Sequence, residues 1–252
     1  MPDKNKITGK IHSVQTLGTL DGPGIRYVLF MQGCPLRCAC CHNPDTWEFT
    51  DKHQRTPEEV YEDVKKYESY FGTDGGITVS GGEPLMQAEF VAELFRLCKK
   101  GGINTCLDTS GCVMDSHVKN LLKYTDLVLL DIKYTNEGDY REYVGGSLQK
   151  TLDFLMLLEN NEVNTWLRQV IIEGLNDNVE NIKSLGAIAS GHRCVTKVEL
   201  LPFRKLCISK YNQLGVQFPL EKVAETPKSR VDELTGILEN NIQNLKKSAH
   251  TI

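Results

Sequence analysis

Residues 33–43 read Gly-Cys-Pro-Leu-Arg-Cys-Ala-Cys-Cys-His-Asn, which sets the thiols of Cys34, Cys38 and Cys41 in C-x3-C-x2-C spacing. Three thiolates on one short loop suffice for three irons of a cubane iron–sulfur cluster. A purely structural cluster takes four cysteines, so this loop leaves one iron open to a small chelating ligand. Structural zinc is the competing use, with Cys40 or His42 as the fourth ligand. Such sites usually pair a C-x2-C with a second, distant pair, and no second C-x2-C or H-x3-H occurs in the sequence. A disulfide is disfavoured in a reducing compartment. The spacing therefore favours iron–sulfur over zinc.

The loop follows the strand candidate Tyr27–Met31, the first of several short aliphatic runs. The others are Ile77–Ser80, Asn104–Asp108, Leu127–Asp131, Thr165–Ile172 and Lys197–Leu201. Amphipathic patterns at 57–70, 87–100, 115–124, 148–160, 178–190 and 229–246 predict helices between and after them. Near-continuous apolar strands alternating with helices predict a parallel sheet covered by helices. Thr56-Pro57-Glu58-Glu59 has the form of a helix start, with a capping hydroxyl, a proline in the first turn and early acids. No repeat or linker splits the chain, so residues 1–252 are expected to form one domain with a short N-terminal extension and a C-terminal helix.

The unusual residues fall at the strand ends. Gly81-Gly82-Glu83 follows the second strand, Asp108-Thr109-Ser110-Gly111 the third, Asp131-Ile132-Lys133 the fourth and Leu201-Pro202-Phe203-Arg204 the sixth. Chemistry gathered at the carboxyl ends of parallel strands is the habit of β/α barrels. Six strand–helix units predict an α/β fold, a partial (β/α)6 TIM-like barrel open on one side. Taken singly, each motif also has a plain use. Gly81-Gly82 and Gly22-Pro23-Gly24 are turn-forming, Asp108 and Asp131 can cap helices, and Lys133 can be a surface charge. Glu83 adds an acceptor for a cationic amino group. Arg168 lies inside the apolar run Trp166-Leu167-Arg168-Gln169-Val170-Ile171, which favours a site-facing role.

Composition bounds the remaining classes. Hydrophobic residues are 40% and charged residues 25%, as in ordinary globular proteins, and a net charge of -4 gives no electrostatic case for nucleic acid. No apolar run approaches a membrane span, and the start MPDKNKITGK lacks a signal-peptide core, so a cytoplasmic protein is expected. The expected oligomeric state is a monomer. Nine cysteines fit a closed disulfide set badly. Cys98, Cys106, Cys112, Cys194 and Cys207 are expected to be small buried apolar residues. His12, His53, His117, His192 and His250 carry no spacing signal and are expected to be solvent-facing or structural.

Together, Gly22-Pro23-Gly24-Ile25-Arg26, Phe30, Gly33, Cys34 through Asn43, and the segments CHNPDTW, TVSGGEPLMQAEF, CLDTSG, LVLLDIK and VELLPF resemble the radical S-adenosylmethionine superfamily. The likeness is to its glycyl-radical-enzyme activating enzymes, over nearly the whole chain. The resemblance implies one [4Fe-4S] cluster on Cys34, Cys38 and Cys41, with S-adenosylmethionine chelating the fourth iron. It implies contacts to that cofactor from the backbone of Cys40 to His42, from Gly81, Gly82 and Glu83, and from Asp131, Ile132, Lys133, Arg168 and Arg204. It implies a monovalent cation at Asp108, Thr109, Leu129 and Asp131, and contact with a partner loop at Asp21, Gly22, Pro23 and Gly24. The implied reaction is reductive cleavage of the cofactor to a 5′-deoxyadenosyl radical that takes an α-hydrogen from a glycine of a partner enzyme. Flavodoxin or ferredoxin would donate the electron.

No inserted ferredoxin-like cysteine domain follows Cys41, which favours pyruvate formate-lyase as the partner. Another glycyl radical enzyme, a small-molecule substrate, or a non-enzymatic zinc or redox scaffold are the alternatives. Two positions depart from the pattern. Cys40 stands where an aromatic residue is usual, and Arg204 where a histidine is usual.

Overall fold

The computed structural model describes residues 7–50 and 53–249, so the N-terminal extension before Ile7 and His250 lie outside the described residues. They fall into two compact units, one of residues up to Pro35 with Thr46–Leu129, the other of Leu36–Asp45 with residues from Leu130 onward.

The first unit contains strands β1 (Gly9–Gly18), β2 (Arg26–Met31), β3 (Gln54–Arg55), β4 (Gly76–Gly81), β5 (Asn104–Thr109) and the start of β6 (Leu127–Asp131). Its helices are α1 (Pro57–Lys65), α2 (Glu68–Phe71), α3 (Ala88–Lys100) and α4 (Ser116–Leu122). The strands are hydrogen-bonded in the order β3-β1-β2-β4-β5-β6. β2, β4 and β5 run parallel, and β1 runs antiparallel to β2 and β3. Val28, Leu29, Ile77, Val79, Cys106 and Leu107 are completely buried, as a strand covered on both faces requires. Phe90, Val91, Leu94, Phe95 and Cys98 line the buried stripe of α3. At the start of α1, Thr56 Oγ1 accepts from the Glu59 amide at 3.3 Å, and Glu59 Oε2 accepts from the Thr56 amide at 2.9 Å. Such a cap stabilises a helix by about 1 kcal/mol.

The second unit holds the end of β6, β7 (Asn164–Ile171) and β8 (Val195–Pro202), hydrogen-bonded in the order β6-β7-β8, with β7 and β8 parallel. Its helices are α5 (Glu137–Val144), α6 (Leu148–Asn160), α7 (Val179–Ser190), α8 (Ile208–Leu214) and α9 (Lys228–Ala249). Phe154, Leu155 and Leu158 of α6, and Leu234 and Leu238 of α9, are buried.

Several sequence expectations need correction. The helix expected over 57–70 breaks at Tyr67, which has φ -108° and ψ 3° and whose ring packs on Tyr27 with 5.7 Å between centroids. β1 went unpredicted because its residues Ser13–Leu17 are exposed and carry no apolar alternation. β3, α5 and α8 were also unpredicted, being short or polar. Of the five scattered cysteines, Cys98, Cys106 and Cys207 are buried, whereas Cys112 and Cys194 are only partly so. No helix among the described residues is long and apolar enough to cross a membrane.

Candidate active site

In the first unit the site is built from the ends of β2, β4 and β5. The chain leaves β2 through Gln32 and Gly33, and the Gly33 and Cys34 amides donate to the carbonyls of Thr46 and Trp47 at 2.7 and 3.1 Å. This closes the base of the cysteine loop. Gly82 donates to the Met31 carbonyl at 2.9 Å, and Glu83 donates to the Gly33 carbonyl at 2.8 Å. A Cβ on Gly82 would stand 2.2 Å from that carbonyl, and one on Gly81, at φ +104°, would stand 2.4 Å from the Met31 amide. Only glycine allows the two loops to lie this close.

The Glu83 carboxylate is buried. Oε1 accepts from the Leu85 amide at 3.1 Å and from the Thr109 hydroxyl at 2.5 Å. Oε2 accepts from the Ser110 amide at 3.1 Å and from the Ser110 hydroxyl. These four donors fill the lone-pair capacity of one carboxylate. Burial pushes its pKa up, and the hydrogen bonds from Ser110 and Thr109 oppose that only in part. Glu83 thus joins the β4 and β5 loops. Beside it, burial pushes the Cys112 thiol up to about 12, with Glu83 adding to the effect. Asp108 accepts from the Ser80 hydroxyl at 2.7 Å, and Leu129 is buried within β6.

In the second unit Asp131 ends β6 between two cations, Lys133 at 2.5 Å and Arg168 at 3.5 Å. Burial works against the Asp131 carboxylate, but Lys133 and then Arg168 outweigh it and hold its pKa below the usual value. Burial likewise works against the Lys133 ammonium, while Asp131, Cys38 and Cys40 hold it well above the ordinary lysine value. The Ile132 amide donates to the Arg168 carbonyl at 2.9 Å, which fixes this trio across β6 and β7.

The remainder of the cysteine loop is pinned along its length in this unit. The Arg37 and Ala39 amides donate to the Val144 and Tyr143 carbonyls at the end of α5, at 3.0 and 2.7 Å. Orphan carbonyls of a helix end are thereby satisfied. His42 Nε2 lies 2.8 Å from the Arg204 carbonyl, and Lys210 of α8 reaches Asn43 at 2.9 Å and Asp45 at 3.0 Å. The Arg204 guanidinium donates to the Thr226 carbonyl at 3.0 Å and faces Glu225 at 3.6 Å. Cys40 is half-buried, and burial pushes its thiol up.

The residues suit the implied cluster. None of the nine cysteines forms a disulfide, and Lys133 places a cation beside the loop's thiols. Among the described residues no three His, Cys, Asp or Glu side chains converge to hold a single metal ion. A cubane asks for a different arrangement, because each thiolate binds a separate iron.

Asp21, Gly22, Pro23 and Gly24 lie elsewhere in the first unit, at the amino ends of β2 and β4, where Arg26 pairs in register with Gly76. The cysteine loop leaves β2 at its other end, about 17 Å away at the usual rise per residue. Arg26 holds the turn, and the sequence reading gave it no role. It is completely buried and donates to Thr78 Oγ1 at 3.0 Å, Asn104 Oδ1 at 2.9 Å and the carbonyls of Pro23, Asp74 and Ile77. Thr78 in turn donates to the Asp21 carbonyl at 2.6 Å. An arginine that opens an apolar strand was the available signal.

Comparison with known proteins gives a consistent picture. The Radical SAM superfamily model matches residues 28–185. The chain is 41% identical over 238 residues to the pyruvate formate-lyase-activating enzyme of Clostridium pasteurianum, covering 94% of this chain and 100% of that one. It is 41% identical over 236 residues to the pyruvate formate-lyase 1-activating enzyme of Escherichia coli K12, covering 92% and 96%. A solved domain of a pyruvate-formate lyase-activating enzyme from Bacteroides vulgatus aligns with TM-score 0.55 at 21% identity, over 66% of this chain and 94% of that one. Streptococcus suis SuiB bound to S-adenosylmethionine aligns with TM-score 0.67 at 12% identity, over 84% and 45%. At such identities the structural likeness is one of fold, an α/β class with an open, mostly parallel sheet of the partial-barrel type.

Proposed function

Because the chain belongs to the radical S-adenosylmethionine superfamily, and within it to the pyruvate formate-lyase-activating enzymes, we propose that it installs the glycyl radical of a pyruvate formate-lyase. The observation that carries this reading is the intact C-x3-C-x2-C loop within a chain 41% identical to such enzymes over nearly its whole length. Cys34, Cys38 and Cys41 would hold a [4Fe-4S] cluster, which when bound would supply the electron for reductive cleavage of S-adenosylmethionine and so the radical chemistry that removes the glycine α-hydrogen.

The chain's own residues orient that chemistry. Lys133 and Arg168 bring two cationic groups against the single carboxylate of Asp131, and this surplus of positive charge suits the cofactor carboxylate. Asp131 keeps both cations in place and offers an acceptor to the ribose. Glu83, its own capacity filled, holds the Gly81-Gly82 backbone toward the cofactor's ammonium group. Ile132 and the Cys40–His42 backbone complete the contacts. Arg204 contributes through its carbonyl, which fixes His42, since its guanidinium is engaged at Thr226 and Glu225. Asp108, Thr109, Leu129 and Asp131 are assigned to a monovalent cation on the family pattern. Asp21 to Gly24 are assigned on the same pattern to the partner's glycine-bearing loop. The protein acts as a cytoplasmic monomer, reduced by flavodoxin or ferredoxin.

The test combines anaerobically reconstituted, reduced protein with S-adenosylmethionine and a pyruvate formate-lyase. An electron paramagnetic resonance doublet from a glycyl radical is expected on the partner. Its absence, with the cluster demonstrably intact, overturns the assignment. Cys38→Ala is expected to abolish cluster assembly while the protein still folds.

A further inference from the structure

Tyr134 follows Lys133 directly and is 2% exposed. Its ring packs against Tyr143 with 5.3 Å between centroids, and the Tyr143 carbonyl accepts the Ala39 amide of the cysteine loop at 2.7 Å. Ala39 lies between Cys38 and Cys40, so Tyr143 links the Tyr134 ring to the stretch that carries those thiols. The Tyr134 hydroxyl is buried and has no hydrogen-bond partner among the described residues. Burial raises its pKa. At any working pH it is a protonated donor without an acceptor. A buried donor left in this state costs stability, and native structures retain few of them.

We propose that the Tyr134 hydroxyl donates a hydrogen bond to a sulfur of the cluster held by Cys34, Cys38 and Cys41, and thereby raises the reduction potential of that cluster. Reduction adds negative charge to the cluster sulfurs, so a donor aimed at one of them stabilises the reduced state more than the oxidised state. Tyr134 is a positioning and tuning residue here and touches no reacting atom. The inference rests on the cluster reading above.

Tyr134→Phe removes the hydroxyl and keeps the ring. The reconstituted variant is compared with the parent by redox titration, followed by electron paramagnetic resonance without S-adenosylmethionine. At a poise near the parent midpoint, the ratio of reduced to oxidised cluster is expected to fall about tenfold, a shift of about 59 mV for one electron. Pulsed resonance on the reduced parent in H2O and D2O is expected to reveal an exchangeable proton coupled to the cluster that is missing from the variant. Cluster-free Tyr134→Phe is expected to melt no lower than the cluster-free parent, because the lost donor had no partner there.

An unchanged potential, or a shift seen only with S-adenosylmethionine bound, overturns the inference. If the variant loads no iron, the parent spectrum decides alone, and absence of the exchangeable coupling overturns the inference equally. Failure of the parent itself to form a cluster would instead overturn the cluster reading.

Discussion

Glu83 and Thr109 meet through a 2.5 Å hydrogen bond from hydroxyl to carboxylate, and this contact ties the loop after β4 to the end of β5. Glu83→Gln retains the shape but turns one acceptor oxygen into a donor among donors. A loss of about 2 kcal/mol in unfolding free energy is expected, the scale of hydrogen bonds to a charged group. The pH dependence has a definite sign. The folded pKa of Glu83 is raised above 4.5 by burial, so its contribution is fully present below that value. It is lost as pH rises through the folded pKa. Denaturant titrations across this range should show that falling component in the parent and its disappearance in Glu83→Gln.

Arg26 presents a stricter case, because every acceptor it serves is itself buried or part-buried. Arg26→Met leaves Thr78, Asn104 and several carbonyls without their donor, and a loss of about 3–5 kcal/mol is expected, as when one member of a buried polar network is removed. Arg26→Lys restores one cation but not the planar fork. Its expected signature is selective. Iron content should match the parent, while the yield of glycyl radical on the partner falls several-fold, because the Asp21–Gly24 turn loses its support. An equal fall in cofactor cleavage without the partner would remove the turn from partner recognition.

The strands around these residues were legible because burial on both faces writes a continuous aliphatic run, as in Leu127–Asp131, where the expected and observed limits coincide. β1 carries no such run, since its Ser13–Leu17 side chains face outward, and its place is set by pairing with β2. In the site, the motifs identified Asp131, Lys133 and Arg168, and the fold brings these three into one charged group. The saturation of Glu83, the burial of Arg26 and the orphan hydroxyl of Tyr134 were not legible. Each depends on contacts between residues distant in sequence, such as Arg26 with Asn104, and no local pattern records them.

Lys210 holds the far end of the cysteine loop through Asn43 and Asp45, and both charged side chains keep partial solvent contact. Such an ion pair contributes about 0–1 kcal/mol to global stability. Lys210→Met is therefore expected to leave the melting temperature nearly unchanged. Its effect should appear as faster loss of iron to a chelator, at most about fivefold on that scale, because the loop opens more often. Equal rates in parent and variant would show that the loop is held without this contact.

Lys133→Met separates charge from packing in the trio. With only Arg168 opposite Asp131, the attraction for the cofactor carboxylate weakens, and the affinity for S-adenosylmethionine is expected to fall at least about tenfold, the scale of one charge-assisted hydrogen bond. A second consequence follows from the carboxylate itself. Asp131 has a folded pKa below 3.8, so its contribution is present above that value and is lost as pH falls through the folded pKa. Removing Lys133 takes away the strongest attraction holding that pKa down, so the acid loss should be smaller, and complete at a higher pH, than in the parent. Acid unfolding followed by circular dichroism, beside calorimetric binding of S-adenosylmethionine, measures both effects. A variant with weakened binding but an unmoved acid transition would mean that Arg168 alone governs Asp131.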